Sequence, residues 1–103
     1  MKQKIAILGS TGSIGKNLLE IIRKDKKNFE LVLLTANKNY SDLLKQAKEF
    51  KVKNIIIKNK QSFQILKGKI KRNEINIYND FNSINKILKK KIDYTMSSII
   101  GLD

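Results

Sequence analysis

The sequence predicts an α/β fold, a doubly wound parallel sheet of about five strands with four intervening helices. Three observations carry that prediction. Short apolar runs alternate with stretches whose apolar residues recur at helical spacing. The runs are continuously apolar, as expected of strands buried on both faces. A glycine-rich turn joins the first run to the first helical stretch.

Each element follows in order. Ile5-Ala6-Ile7-Leu8 reads as the first strand and ends at Gly9. Ile14, Leu18, Ile21 and Ile22 are spaced i, i+4, i+7, i+8 and predict the apolar stripe of the first helix. Leu31-Val32-Leu33-Leu34 is the second strand. Leu43, Leu44, Ala47 and Phe50 mark the second helix, capped by Ser41 or Asn39, with Asp42 favourable in its first turn. Ile55-Ile56-Ile57 is the third strand, and Phe63, Leu66 and Ile70 define the third helix. Residues 74–78, with Ile75 and Ile77 alternating, predict a short strand near a sheet edge. Asp80 reads as the N-cap of a fourth helix striped by Phe81, Ile84, Ile87 and Leu88. Residues 92–100, with Tyr94, Met96, Ile99 and Ile100, predict a fifth strand. The right-handed crossover rule makes the Rossmann-like arrangement the leading topology.

Composition narrows the function. A chain of 103 residues fits one domain, and 41% apolar content is enough for a core. No apolar run approaches the roughly 20 residues a membrane span needs, and the run after Lys2 and Lys4 is too short for a secretory signal. The expectation is a soluble, cytoplasmic protein with no membrane partner. The absence of cysteine excludes disulfides and thiolate chemistry. A net charge of +13 raises nucleic-acid binding. However, only Arg23 and Arg72 are arginine, and base readers favour the planar guanidinium. Lys, Ile and Asn are abundant together, which points to A/T-rich coding and a solvated lysine surface; no nucleic-acid partner is expected.

The segment Gly9-Ser10-Thr11-Gly12-Ser13-Ile14-Gly15 carries the chemistry. Gly9 permits a tight turn, Gly12 lets the backbone approach a pyrophosphate, and Gly15 lets the helix pack closely on the sheet. The N–H groups of Thr11, Gly12, Ser13 and Ile14 are expected to face phosphate oxygens, backed by the helix dipole. The hydroxyls of Ser10, Thr11 and Ser13 are expected to add hydrogen bonds. A Walker A loop does not fit, because Ser10 and Asn17 stand where that motif needs glycine and a hydroxyl.

The end of the second strand separates the two nicotinamide cofactors. NAD sites place an acid about 20 residues after the glycine turn, on the ribose 2′-hydroxyl. This chain reads Thr35-Ala36-Asn37-Lys38-Asn39 there, without an acid. Lys38 can pair with a 2′-phosphate and Asn37 and Asn39 can donate hydrogen bonds, which favours NADPH.

The run from Lys4 through Gly15 resembles the opening of 1-deoxy-D-xylulose-5-phosphate reductoisomerases. Ala36-Asn37-Lys38-Asn39 resembles that family's second NADPH-binding turn, and Met96-Ser97-Ser98-Ile99-Ile100-Gly101-Leu102 resembles the end of its fifth strand. The likeness covers the whole chain as an NADPH-binding domain over residues 1–103. It implies a reaction that rearranges 1-deoxy-D-xylulose 5-phosphate and reduces the intermediate with NADPH to 2-C-methyl-D-erythritol 4-phosphate, in non-mevalonate isoprenoid synthesis. It also implies a sugar-phosphate substrate, a divalent Mg, Mn or Co ion and a homodimer for the whole enzyme. The compartment would be cytoplasmic, of bacterial type, with a plastid left open. By match, Thr11, Gly12, Ser13 and Ile14 hold the pyrophosphate, and Lys38 and Asn39 hold the 2′-phosphate. Asn37 departs from the glycine frequent at its position. The family's metal carboxylates, substrate-phosphate residues and lid lie beyond Asp103, so this chain is expected to hold no catalytic or metal residue and to be inactive alone. The bare glycine spacing also fits other NADP-dependent reductases, such as semialdehyde dehydrogenases, and a basic nucleotide- or RNA-binding module is a third reading.

Overall fold

The structure is a computed structural model that describes residues 3–70, 74–80, 82 and 96–97. In chain order the elements are β1 (Gln3–Ile7), α1 (Ser13–Arg23), β2 (Phe29–Ala36), α2 (Tyr40–Glu49), β3 (Asn54–Ile57), α3 (Lys60–Lys69), β4 (Asn76–Tyr78) and β5 (Met96–Ser97). The strands form one sheet in the order β4-β3-β2-β1-β5, and every pairing is parallel. The expected α/β fold with a parallel sheet is therefore present. The fourth helix, over residues 81–88, lies outside the described residues, as does the predicted fifth strand apart from β5. Asp80 does accept a hydrogen bond at Oδ1 from the Asn82 N–H, at 3.0 Å.

The sequence explains which strands sit in the middle. Ile55, Ile56 and Ile57 are wholly buried, as are Leu33 and Leu34. Fully burying one such side chain stabilises the fold by roughly 1.5–3 kcal/mol. Such strands need cover on both faces, which only central positions provide. The half-buried Ile77 and Tyr78 belong to β4, at the edge. Between β1 and β2 the register slips at Ile5 and Ala6, which face Leu31 and Leu33. Val32 is the extra residue of this bulge, so Val32 and Leu33 join the same cluster with Ala6 and Ile56.

From β1 to β4 the chain steps always the same way across the sheet. Right-handed crossovers then place the three described helices on one face. There Leu19 and Ile22 of α1, Leu43 and Ala47 of α2 and Leu66 of α3 pack on Ile5, Ile7, Leu31, Ile55 and Ile57. The path reverses between β4 and β5, so β1 has its successor on one side and β5 on the other. Ligands of open α/β sheets bind at such a reversal, beyond the carboxyl ends of the strands.

The stripe of α1 differs from expectation. Gly15, Leu19 and Ile22 are buried, while Ile14 and Ile21 are 60% and 61% exposed. The reason is steric. A Cβ on Gly15 would lie 2.4 Å from the Gly9 carbonyl oxygen and 2.6 Å from Ser10 Cα. The helix turns its glycine towards that backbone, and positions four and seven further on follow it inward. Ile14 and Ile21 sit a hundred degrees away on the cylinder.

Candidate functional site

The turn after β1 is built from backbone. Gly9 has a φ of 73°, a left-handed conformation that glycine adopts without a Cβ penalty. The Gly12 N–H donates to the Gly9 carbonyl at 3.1 Å, closing the turn, and the Gly12 carbonyl accepts from Lys16 N at 2.9 Å, starting α1. Gly12 is the N-cap and offers no side chain to the helix N–H groups. Among the described residues, the N–H groups of Thr11, Ser13 and Ile14 have no protein acceptor. They open a helix whose dipole favours an anion at this end.

Two expected contacts are corrected. The Gly12 N–H is not free, because it closes the turn on Gly9. The Ser10 hydroxyl does not face outward, since Ser10 is wholly buried and donates to Gln46 Oε1 at 2.7 Å. Three groups hold this buried segment. Ser10 N–H reaches the Thr35 carbonyl at 2.9 Å. Gly9 N–H reaches Thr35 Oγ1 at 2.9 Å. Gln46 Nε2 donates to the Ser10 carbonyl at 3.1 Å. Thr35 is the penultimate residue of β2 and Gln46 belongs to α2, so the turn is tied to the second strand and the second helix. The sequence reading missed Gln46. The available signal was its place among Leu43, Ala47 and Phe50, at i, i+3, i+4 and i+7 on one helix face.

The second expected segment lies beside the first, where β2 ends. Its backbone is fixed to the β3–α3 junction: the Ala36 carbonyl accepts from Lys58 N–H at 3.1 Å and the Asn37 carbonyl from Asn59 N–H at 2.8 Å. The Lys38 carbonyl accepts from Ser62 Oγ at 2.9 Å. Asn37, Lys38 and Asn39 are all exposed. The Asn39 side chain caps α2, accepting from Asp42 N–H at 3.1 Å and donating to Asp42 Oδ2 at 3.0 Å. Of the two candidate caps, Asn39 fills the place and Ser41 does not. Its amide is thereby engaged, and the side chains of Asn37 and Lys38 point to solvent.

A charge pair joins the two segments. Lys16 Nζ lies 3.1 Å from Asp42 Oδ2. Lys16, helped by the Asn39 amide, holds the Asp42 carboxyl below the usual carboxylate range. Among the described residues no three His, Cys, Asp or Glu side chains gather into a metal site. No helix among them is long and apolar enough to cross a membrane.

Comparison with known proteins converges on one family. The model of the family described as 1-deoxy-D-xylulose 5-phosphate reductoisomerase matches residues 5–103. The enzyme of that name from Pelagibacter ubique is 52% identical over 103 residues, covering 98% of this chain and 26% of its own length. The Buchnera aphidicola enzyme (strain Tuc7) is 36% identical, over 97% of this chain and 26% of its own. Among solved structures, the Zymomonas mobilis enzyme in complex with NADPH superposes with a TM-score of 0.81 at 28% identity, covering 98% of this chain and 27% of that one. The chain thus spans about a quarter of the length of the relatives it matches.

Proposed function

The chain belongs to the 1-deoxy-D-xylulose 5-phosphate reductoisomerase family, and from that premise we propose that residues 1–103 form its NADPH-binding part. The observation that carries this reading is the row of unpartnered N–H groups on Thr11, Ser13 and Ile14, opening α1 where the sheet order reverses. These groups bind the pyrophosphate. Gly9 shapes the turn and Gly15 brings α1 against it. Ser10 and Gly12 act through the conformation of the turn, since the Gly12 N–H is engaged on Gly9 and the Ser10 donors are engaged on Thr35 and Gln46.

Lys38 places its ammonium beside the 2′-phosphate, with Asn37 next to it. Asn39 contributes by fixing the start of α2. The absence of an acid at this strand end selects NADPH over NADH. In the whole enzyme NADPH supplies the hydride that reduces the rearranged 1-deoxy-D-xylulose 5-phosphate, giving 2-C-methyl-D-erythritol 4-phosphate. One related structure holds NADPH, fosmidomycin and magnesium. A divalent metal and a sugar-phosphate substrate belong to the same proposal for the whole enzyme. The family match does not favour the semialdehyde-dehydrogenase or nucleic-acid readings.

The test is a fluorescence titration of the natural gene product with NADPH and NADH, repeated for Lys38→Ala. NADPH should bind more tightly than NADH, and the substitution should narrow that difference by about tenfold or more. Equal affinity of the unaltered protein for both cofactors would overturn the reading.

A further inference from the structure

The pyrophosphate turn cannot hold its shape through its own short-range bonds alone. Within the turn, the one backbone bond is that from Gly12 N–H to the Gly9 carbonyl. What fixes Ser10 comes from elsewhere in the chain, and a neutral side chain on α2 makes two of the contacts. Gln46 donates from Nε2 to the Ser10 carbonyl at 3.1 Å and accepts at Oε1 from the Ser10 hydroxyl at 2.7 Å. The residue is 8% exposed and Ser10 is not exposed at all.

The arrangement has one consistent orientation. With the amide reversed, Oε1 would face the Ser10 carbonyl oxygen, and two acceptors would meet without a proton between them. In the observed orientation each end of the amide finds its complement on the same residue. Ser10 is therefore held at its main chain and its side chain together. Its immediate neighbour is Thr11, the first residue with an unpartnered N–H.

Gln46 also lies seven positions after Asn39, the cap at the start of the same helix. One rigid element thus ends in the segment carrying Lys38 and grips the segment carrying Thr11. We propose that Gln46 is a positioning residue for the cofactor: it sets the pyrophosphate turn and fixes its placement relative to the 2′-phosphate segment. This rests on the NADPH reading above and adds to it a residue that touches neither phosphate.

Two substitutions separate geometry from folding. Gln46→Glu keeps the shape and the acceptor for the Ser10 hydroxyl but replaces the donor facing the Ser10 carbonyl. Gln46→Leu removes both bonds at similar volume. The experiment uses the full-length natural protein, at a temperature well below the melting point of each variant. NADPH and adenosine 2′-monophosphate, which lacks the pyrophosphate, are titrated against each. Both variants should weaken NADPH by roughly tenfold or more, since small misplacements of binding groups carry large penalties. They should leave adenosine 2′-monophosphate within about twofold and kcat at saturating NADPH within about threefold, the loss lying in the KM for NADPH. A folded variant, judged by circular dichroism, that binds NADPH like the unaltered protein would overturn the proposal. So would parallel losses for the two ligands. Failure of the unaltered protein to bind NADPH would instead overturn the cofactor reading itself.

Discussion

Helices α1 and α2 run side by side, and their two ends are secured by different physics. At the ends facing the carboxyl edge of the sheet, the ties that set the turn are buried and uncharged, Thr35 to Gly9 and Gln46 to Ser10, beside one exposed pair, Lys16 to Asp42. Gly15 adds a contact with no room for a methyl group. At the far ends the ties are exposed and charged. Arg23 forks onto Glu49, with its Nη2 2.8 Å from Oε1, and also pairs with Glu20. The guanidinium and the Lys26 ammonium lie over the Phe50 ring, 5.4 and 5.2 Å from its centroid. Buried hydrogen bonds are directional and are costly to leave unmade. Exposed ion pairs hold two long side chains loosely and are screened by salt. The end that must present N–H groups in a set array uses the first kind.

Gly15→Ala should break the ordered end most severely. The new Cβ would meet backbone, not the tip of a flexible side chain, so α1 itself must move. Overpacking of that kind costs about 3 kcal/mol. Urea unfolding should show the loss as a lowered midpoint, with NADPH affinity falling as well. A midpoint equal to that of the unaltered protein would mean that α1 already slides freely on the turn.

Thr35→Val comes next. It preserves the shape but removes the oxygen that accepts the buried Gly9 N–H at 2.9 Å. Leaving that donor without a partner costs about 2 kcal/mol. Chemical denaturation can measure it directly. A change below about 0.5 kcal/mol would show that the Gly9 N–H finds another acceptor, for which surface substitutions give the reference scale.

These two residues also show what could be read from the sequence and what could not. The central strands were legible because a strand covered on both faces has no polar side to display, and Ile55-Ile56-Ile57 has none. The glycine turn was legible because backbone geometry leaves few other residues for Gly9 and Gly15. Asn39 was legible as one of two caps, for its side chain acts within its own first turn. The inward role of Ser10 was not, since a serine in a glycine-rich turn looks available to phosphate until Gln46, 36 positions away, is placed against it. Ile14 and Ile21 misled for a related reason. Apolar spacing suggests a stripe, but the close contact at Gly15 sets which way the helix faces. A partner 36 positions away decided the first case, and the contact of Gly15 with the turn just before it decided the second; apolar spacing records neither.

The far end contains a conformation that the sequence did not announce. Lys51 follows α2 with a φ of 56°. The Val52 N–H returns to the Ala47 carbonyl at 2.9 Å, closing the helix in the manner that glycine usually allows. A side chain in this region is penalised by roughly 1–2 kcal/mol, part of which glycine gives back through its freer unfolded chain. Lys51→Gly should therefore stabilise the protein by about 0.5–1 kcal/mol. Its thermal midpoint should rise while NADPH affinity stays unchanged, since Lys51 is remote from the cofactor segments. A loss of NADPH affinity would mean that the two ends are mechanically coupled.

The smallest effects sharpen the comparison through salt and pH. Asp42 is ionised more readily in the folded protein than in the unfolded chain, chiefly through its bond to Lys16. A depressed carboxylate pKa gives stability that is fully present above the unfolded value near 3.9 and is lost as the pH falls through the lower folded value. Asp42→Asn should accordingly flatten the acid side of the stability curve below about pH 4, by no more than a few tenths of a kcal/mol, because both partners are substantially exposed. Glu49 is depressed in the same direction by Arg23. Arg23→Ala should destabilise slightly at low salt, and that difference should shrink at about 1 M salt, where the screening length falls to about 3 Å. The Thr35→Val loss should persist there, since no charge takes part in it. If both losses shrank together with salt, the division between a buried, neutral end and an exposed, charged one would not describe how α1 and α2 are held.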